Sequence, residues 1–144
     1  FDSTIESDTT NLNHTILNLI NTFGKDIHLL TDPTRGGVGT VLKEIALSTN
    51  IGIDIFQKDL PIDNQVASAC ELLGLDPLYV ANEGLFLSFV DATVSDKFLE
   101  ALQKDENGIH AKINTHPKQV ILESAIGGKR VVSMLPGEQL PRIC

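Results

Sequence analysis

Tryptophan is missing from this 144-residue sequence, and tyrosine occurs once. With so few large aromatic faces, a platform for stacking nucleobases is not expected. Positive charge is also scarce: 11 Lys and Arg stand against 19 Asp and Glu, for a net charge of −8. That balance argues against nucleic-acid backbones and anionic membranes as partners, since both need a positive patch. No apolar run approaches the length of a transmembrane helix, and no signal-peptide pattern opens the chain. The first residue is Phe1 instead of methionine, which points to a processed chain or an excised piece of a longer one. His14, His28, His110 and His116 show neither HxxxH nor Cys–His spacing, so no structural metal is expected. With two cysteines and nothing else pointing to an oxidising compartment, the cytoplasm is the default location.

The two cysteines occupy different settings. Val66, Ala69, Cys70 and Leu73 follow helical spacing, which puts Cys70 on an apolar stripe as a small buried hydrophobe. Cys144 is the last residue and has no apolar context. The stretch before it, "LPGEQLPRIC", holds two prolines and a glycine without periodicity. Proline donates no backbone hydrogen bond, so residues 136–144 read as an extended, mobile tail.

Helices and strands alternate along the rest. Leu12, Ile16, Leu19, Ile20 and Phe23 share one helical face, stopped by Gly24. "IHLL" (27–30) reads as a buried strand. Val38, Leu42, Ile45, Ala46 and Thr49 mark a second helix that starts at two glycines. "IGIDIF" (51–56) alternates as a half-exposed strand. A third helix runs from Asp63, a candidate N-cap, to Leu73 and ends at Gly74. "LFLSFV" (85–90) is a further strand, followed by a helix on Val94, Phe98, Leu99 and Leu102 with Asp91 or Thr93 as its cap. Strands are expected near 109–113, 118–123 and 129–134. This order gives an α+β (α/β-like) fold, a mixed sheet covered by helices.

Two stretches carry chemistry. In "LTDPTRGGVGTVLKEIA" (30–46) a strand end leads through Asp32, Pro33, Thr34 and Arg35 to Gly36 and Gly37, and then into a helix. Glycines at such a turn let backbone N–H groups approach an anion, and the helix dipole adds partial positive charge. Arg35 offers a planar fork of donors to a phosphate, and Asp32 suits a metal-bridged phosphate. The plainer alternative is a capped helix start with a glycine turn, because the stretch matches neither GxGxxG nor a Walker A sequence. In "PLYVANEGLFLSFV" (77–90), Asn82, Glu83 and Gly84 interrupt an apolar run. A carboxylate in that setting can act as a general base; the alternative is a surface turn glutamate.

Together, "LTDPTRGGVGTVLKEIA", "DPLYVANEG" and the terminal "LPRIC" resemble the C-terminal half of the hydrogenase expression/formation family HypE. That family belongs with aminoimidazole ribonucleotide synthetase, selenophosphate synthetase and thiamine monophosphate kinase. The resemblance runs from about Glu6 to Cys144, and the terminal Pro141, Arg142, Ile143 and Cys144 narrow it to HypE. It implies a linker at 1–8, a C-terminal-type domain at 9–135 and the tail at 136–144. It also implies that Cys144 carries a carbamoyl group loaded by the carbamoyltransferase HypF. Glu83 would take the protons as ATP drives dehydration to a thiocyanate, with the Asp32–Gly37 turn near the phosphates. Cyanide then passes to iron on the HypC–HypD complex, for [NiFe]-hydrogenase. ATP and Mg would be held mainly by an N-terminal domain not contained in this sequence, which in the family also supplies a homodimer interface. This domain alone should therefore bind ATP weakly or not at all. The stretch 113–123 lacks the family's Ile-Gly-x-Val, leaving its strand register open. Two other readings stand beside this one: another ATP-dependent ligase or phosphotransferase of the superfamily, and a non-catalytic docking module.

Overall fold

The computed structural model describes residues 6–108, 110–111, 120–123 and 129–131. Among them are four helices and five strands: α1 (Asn13–Phe23), β1 (Ile27–Thr31), α2 (Gly37–Thr49), β2 (Ile53–Phe56), α3 (Asn64–Leu73), β3 (Leu87–Val90), α4 (Ser95–Gln103), β4 (Val120–Glu123) and β5 (Lys129–Val131). Where a single sheet was expected, the described residues form two small ones, β1–β3 and β2–β4–β5. The chain divides into two compact units, with boundaries among the described residues after Ser7, Asp32 and Asn82.

One unit holds α1, β1, β3 and α4. Leu19 of α1 and Phe98 and Leu102 of α4 are buried, with Phe23, Ile27, Phe86, Val90, Ala101 and Ala111 packed around them. The Phe23 and Phe98 rings meet tilted at 59°, centroids 5.2 Å apart, a favourable aromatic geometry. The i, i+4 spacing of Leu19 and Phe23, and of Phe98 and Leu102, puts each pair on one face of its helix. β1 and β3 pair antiparallel, with Ile27 opposite Val90 and Leu29 opposite Phe89, so His28 is the extra residue of a bulge. The expectation of a buried strand at 27–30 is corrected here. Leu29 is 37% exposed, because a two-stranded sheet covers less of its faces than the multi-stranded sheet assumed.

A polar tie fastens α1 to the turn after α4. Thr15, 2% exposed, donates its hydroxyl to Asp105 Oδ1 at 2.8 Å and accepts from Asn107 Nδ2 at 3.0 Å. Asp105 Oδ1 also accepts the Asn107 backbone N–H. The expected cap of α4 is corrected as well. Asp91 accepts both the N–H and the hydroxyl of Thr93, while Val94 is the N-cap and caps with no side chain. Asp91 thus closes the preceding turn, and the Thr93 hydrogen bonds hold its carboxyl below the ordinary value.

The other unit holds α2, β2, α3, β4 and β5. β2 pairs parallel with β4, and β4 antiparallel with β5. Its buried residues include Leu42, Ile55, Cys70 and Leu78. The α3 boundaries follow local rules: Asp63 accepts the Gln65 N–H at 2.7 Å, and Gly74 ends the helix at φ 67°. Leu75 N–H then reaches Cys70 O and Gly74 N–H reaches Glu71 O, a Schellman closure. The expected strand at 109–113 falls mostly outside the described residues, as does the tail 136–144.

Replacing Thr15 by Val should cost about 1–3 kcal/mol, because Asp105 and Asn107 each lose a buried partner. Urea denaturation should show a lower midpoint with an unchanged slope.

Candidate functional site

The stretch from Pro33 into α2 is shaped by two left-handed glycines, Gly36 at φ 76° and Gly37 at φ 61°. Thr34 O accepts the Gly37 N–H at 3.2 Å and Gly36 O accepts the Thr40 N–H at 3.3 Å, so a tight turn runs directly into the helix. Pro33 is fully buried. Thr34 is half-buried, and Asp32 and Arg35 are exposed.

Gly37 has a second reason to be glycine. A Cβ there would lie 2.6 Å from Val80 O and 2.7 Å from Leu78 O, and one at Gly39 would lie 2.9 Å from the Tyr79 ring. The start of α2 is therefore seated directly on the 3₁₀ turn Pro77–Tyr79. That turn is itself fixed by Asp76, whose carboxylate accepts the Leu78 N–H at 3.0 Å, and by Pro77 at its first position. Pro33 O accepts the Asn82 N–H at 3.2 Å. The turn from Pro33 into α2 and the Leu78–Asn82 segment are thus neighbours, joined backbone to backbone within one unit.

The start of α2 has no side-chain cap and no acidic residue in its first turn. No side chain of its own thus offsets the partial positive charge of this helix end, and exposed Arg35 stands next to it. This donor set suits an anion such as a phosphate group. Among the described residues no three His, Cys, Asp or Glu side chains converge on a point. A magnesium ion at Asp32 would accordingly draw most of its oxygens from a ligand and water.

Glu83 and Gly84 belong to the other unit. Glu83 is half-buried, and its backbone N–H donates to Asp8 Oδ2 at 2.7 Å. A Cβ on Gly84 would collide with Asp8 O, so the segment ahead of α1 lies directly on this turn. Cys70 is a buried free thiol. Cys144, with Pro141, Arg142 and Ile143, lies outside the described residues.

Sequence reasoning named Pro33 and Asn82 within their own stretches without joining them, and missed Leu78 and Asp8 as parts of this framework. Asp76-Pro77 was a usable signal for the 3₁₀ turn, since Asp caps and Pro starts such a turn. Nothing local marks Asp8, which bonds a residue 75 positions away.

Residues 6–113 match the family described as AIR synthase related protein, C-terminal domain. Over its whole length the chain is 38% identical to a carbamoyl dehydratase HypE of Bradyrhizobium diazoefficiens, covering 43% of that protein. A crystal structure of the hydrogenase maturation protein HypE in complex with ATP matches 100% of the chain and 45% of its own, at 38% identity and a TM-score of 0.89. A crystal structure of a HypE–HypF complex matches 94% of the chain and 45% of its own, at 38% identity and a TM-score of 0.84. The chain spans less than half the length of these relatives. Among the described residues no helix is long and apolar enough to cross a membrane.

Gly37→Ala should lower stability by about 3 kcal/mol or more, combining left-handed strain with a collision against two carbonyl oxygens. Chemical denaturation of the two proteins side by side measures it; a loss below about 1 kcal/mol would mean the seat yields easily.

Proposed function

Because the chain belongs to the AIR synthase related family, as its C-terminal domain, and is similar to HypE along its full length, we propose that it is the C-terminal domain of an ATP-dependent carbamoyl dehydratase. The product would be a thiocyanate on the terminal cysteine, the donor of the iron cyanide ligands in [NiFe]-hydrogenase maturation. The observation that carries this reading is the likeness over 100% of the chain, joined to the backbone seating of the Pro33–Gly37 stretch beside Leu78–Asn82.

In this reading Cys144 is the carrier thiol. A carrier must meet a carbamoyltransferase and then a dehydration site, and a chain end suits that travel. The HypE–HypF complex among the similar structures supports HypF as the partner that loads it.

Dehydration of a carboxamide needs its oxygen converted into a leaving group and its two N–H protons removed. ATP, when bound, supplies the phosphoryl group for the first requirement; a similar protein has been crystallised with it. Arg35 and the open start of α2 would hold phosphate oxygens, and Asp32 would take an accompanying magnesium ion. Glu83 would take one N–H proton as the oxygen is phosphorylated, release it to solvent, and take the second as the oxygen departs with the phosphate and the N–H electron pair completes the C≡N bond. Most of the nucleotide pocket would come from a part of the protein outside this chain.

Glu83→Gln keeps the shape of the side chain but accepts no proton at neutral pH. Full-length protein carrying it, incubated with HypF, carbamoyl phosphate and ATP, should still accumulate the carbamoyl adduct on Cys144 by mass spectrometry. Conversion to the cyano adduct should slow by roughly 10²–10⁴-fold, the usual contribution of a general base. Normal conversion would remove Glu83 from the chemistry.

Arg35→Ala should raise the ATP concentration needed for half-maximal dehydration and leave stability within about 0.5 kcal/mol, as for most exposed residues. An unchanged ATP dependence would leave Arg35 without a phosphate role.

A further inference from the structure

We infer that Asp8 is the positioning residue for Glu83, an inference that rests on the catalytic reading of Glu83 above. Asp8 Oδ2 accepts the Glu83 backbone N–H at 2.7 Å, a charge-assisted hydrogen bond that fixes the peptide from which the Glu83 side chain departs. Independently, the Asp8 backbone lies so close to Gly84 that a Cβ there would overlap Asp8 O and crowd Thr10 Cγ2. The turn is therefore held on both sides of the carboxylate that matters: by a side-chain acceptor before it and by steric contact after it. Both contacts lie within one compact unit.

The consequence is specific. A general base must sit within hydrogen-bond reach of its proton, and small misplacements are costly. Asp8 is exposed and bears on the reaction only through the Glu83 peptide. Its contribution should vanish when Glu83 can no longer act as a base. The part of Asp8 that matters is an acceptor oxygen, which asparagine also has.

The test is a double-mutant cycle in the full-length protein. Carbamoyl-to-cyano conversion on Cys144 is followed by mass spectrometry, expressed per folded molecule from parallel circular dichroism melts. Asp8→Ala should slow conversion by about 10- to 100-fold without altering carbamoyl loading. Asp8→Asn should restore the rate to within about twofold of the parent, since the hydrogen bond survives. Adding Asp8→Ala to Glu83→Gln should change the rate by less than about twofold, because two residues acting as one unit are not additive. A slow Glu83→Gln protein with either a normal Asp8→Ala rate or additive losses would overturn the positioning role while leaving Glu83 as the base. A loss in Asp8→Ala matched by an equal loss of folded protein would also overturn it. Normal conversion by Glu83→Gln would remove both readings together.

Discussion

The backbone approach of Gly37 to the carbonyl oxygens of Leu78 and Val80 constrains nearly everything around the candidate site. No side chain fits between these strands of backbone, so the start of α2 is positioned by main-chain atoms, which do not change rotamer. From that seat Pro33 is drawn in and buried, and its carbonyl receives Asn82 N–H. Arg35, at the crest of the turn, is left exposed. A rigid platform with one exposed cation and an uncapped helix end is suited to holding phosphate oxygens without reorganising for each turnover.

The same economy holds the Glu83 turn. There too a glycine lets one backbone segment press on another, and a carboxylate secures the adjacent N–H. In both places glycine is required by a neighbour distant in sequence, and at Gly37 the left-handed backbone requires it as well. The thiol that would serve as carrier needs the opposite property, freedom to visit two sites, and it stands at the end of the chain. Cys70, by contrast, is buried, although Leu73, expected on the same stripe, is 72% exposed.

What was legible in the sequence follows from range. The Asp63 cap, the Gly74 stop and the Phe98–Leu102 stripe depend on residues within about two turns of one another, and each is found as expected. Leu19 and Phe23 also pack in the core, but Ile20, expected on their face, is 44% exposed. The family was legible because three separate stretches had to match it at once. The division into two sheets was not, since it depends on β1 finding β3 and β2 finding β4 across long separations. The exposure of Leu29 follows from that pairing, and a local apolar run gives no hint of it. The Asp91 miss had a different cause: an Asp-x-Thr closes a turn as readily as it caps a helix. The neighbourhood of Pro33 with Asn82, and of Asp8 with Glu83, exists only in three dimensions.

The central claim is that Cys144 carries a carbamoyl group through its dehydration, and adduct mapping on the parent protein addresses it most directly. Full-length protein incubated with HypF, carbamoyl phosphate and ATP would be sampled over time, digested, and both cysteine-containing peptides followed by mass spectrometry. The account predicts a carbamoyl adduct that rises first on Cys144 and is replaced by a cyano adduct, with Cys70 unmodified throughout. A Cys144 that stays unmodified while the partner remains active, or an adduct confined to another residue, would contradict it.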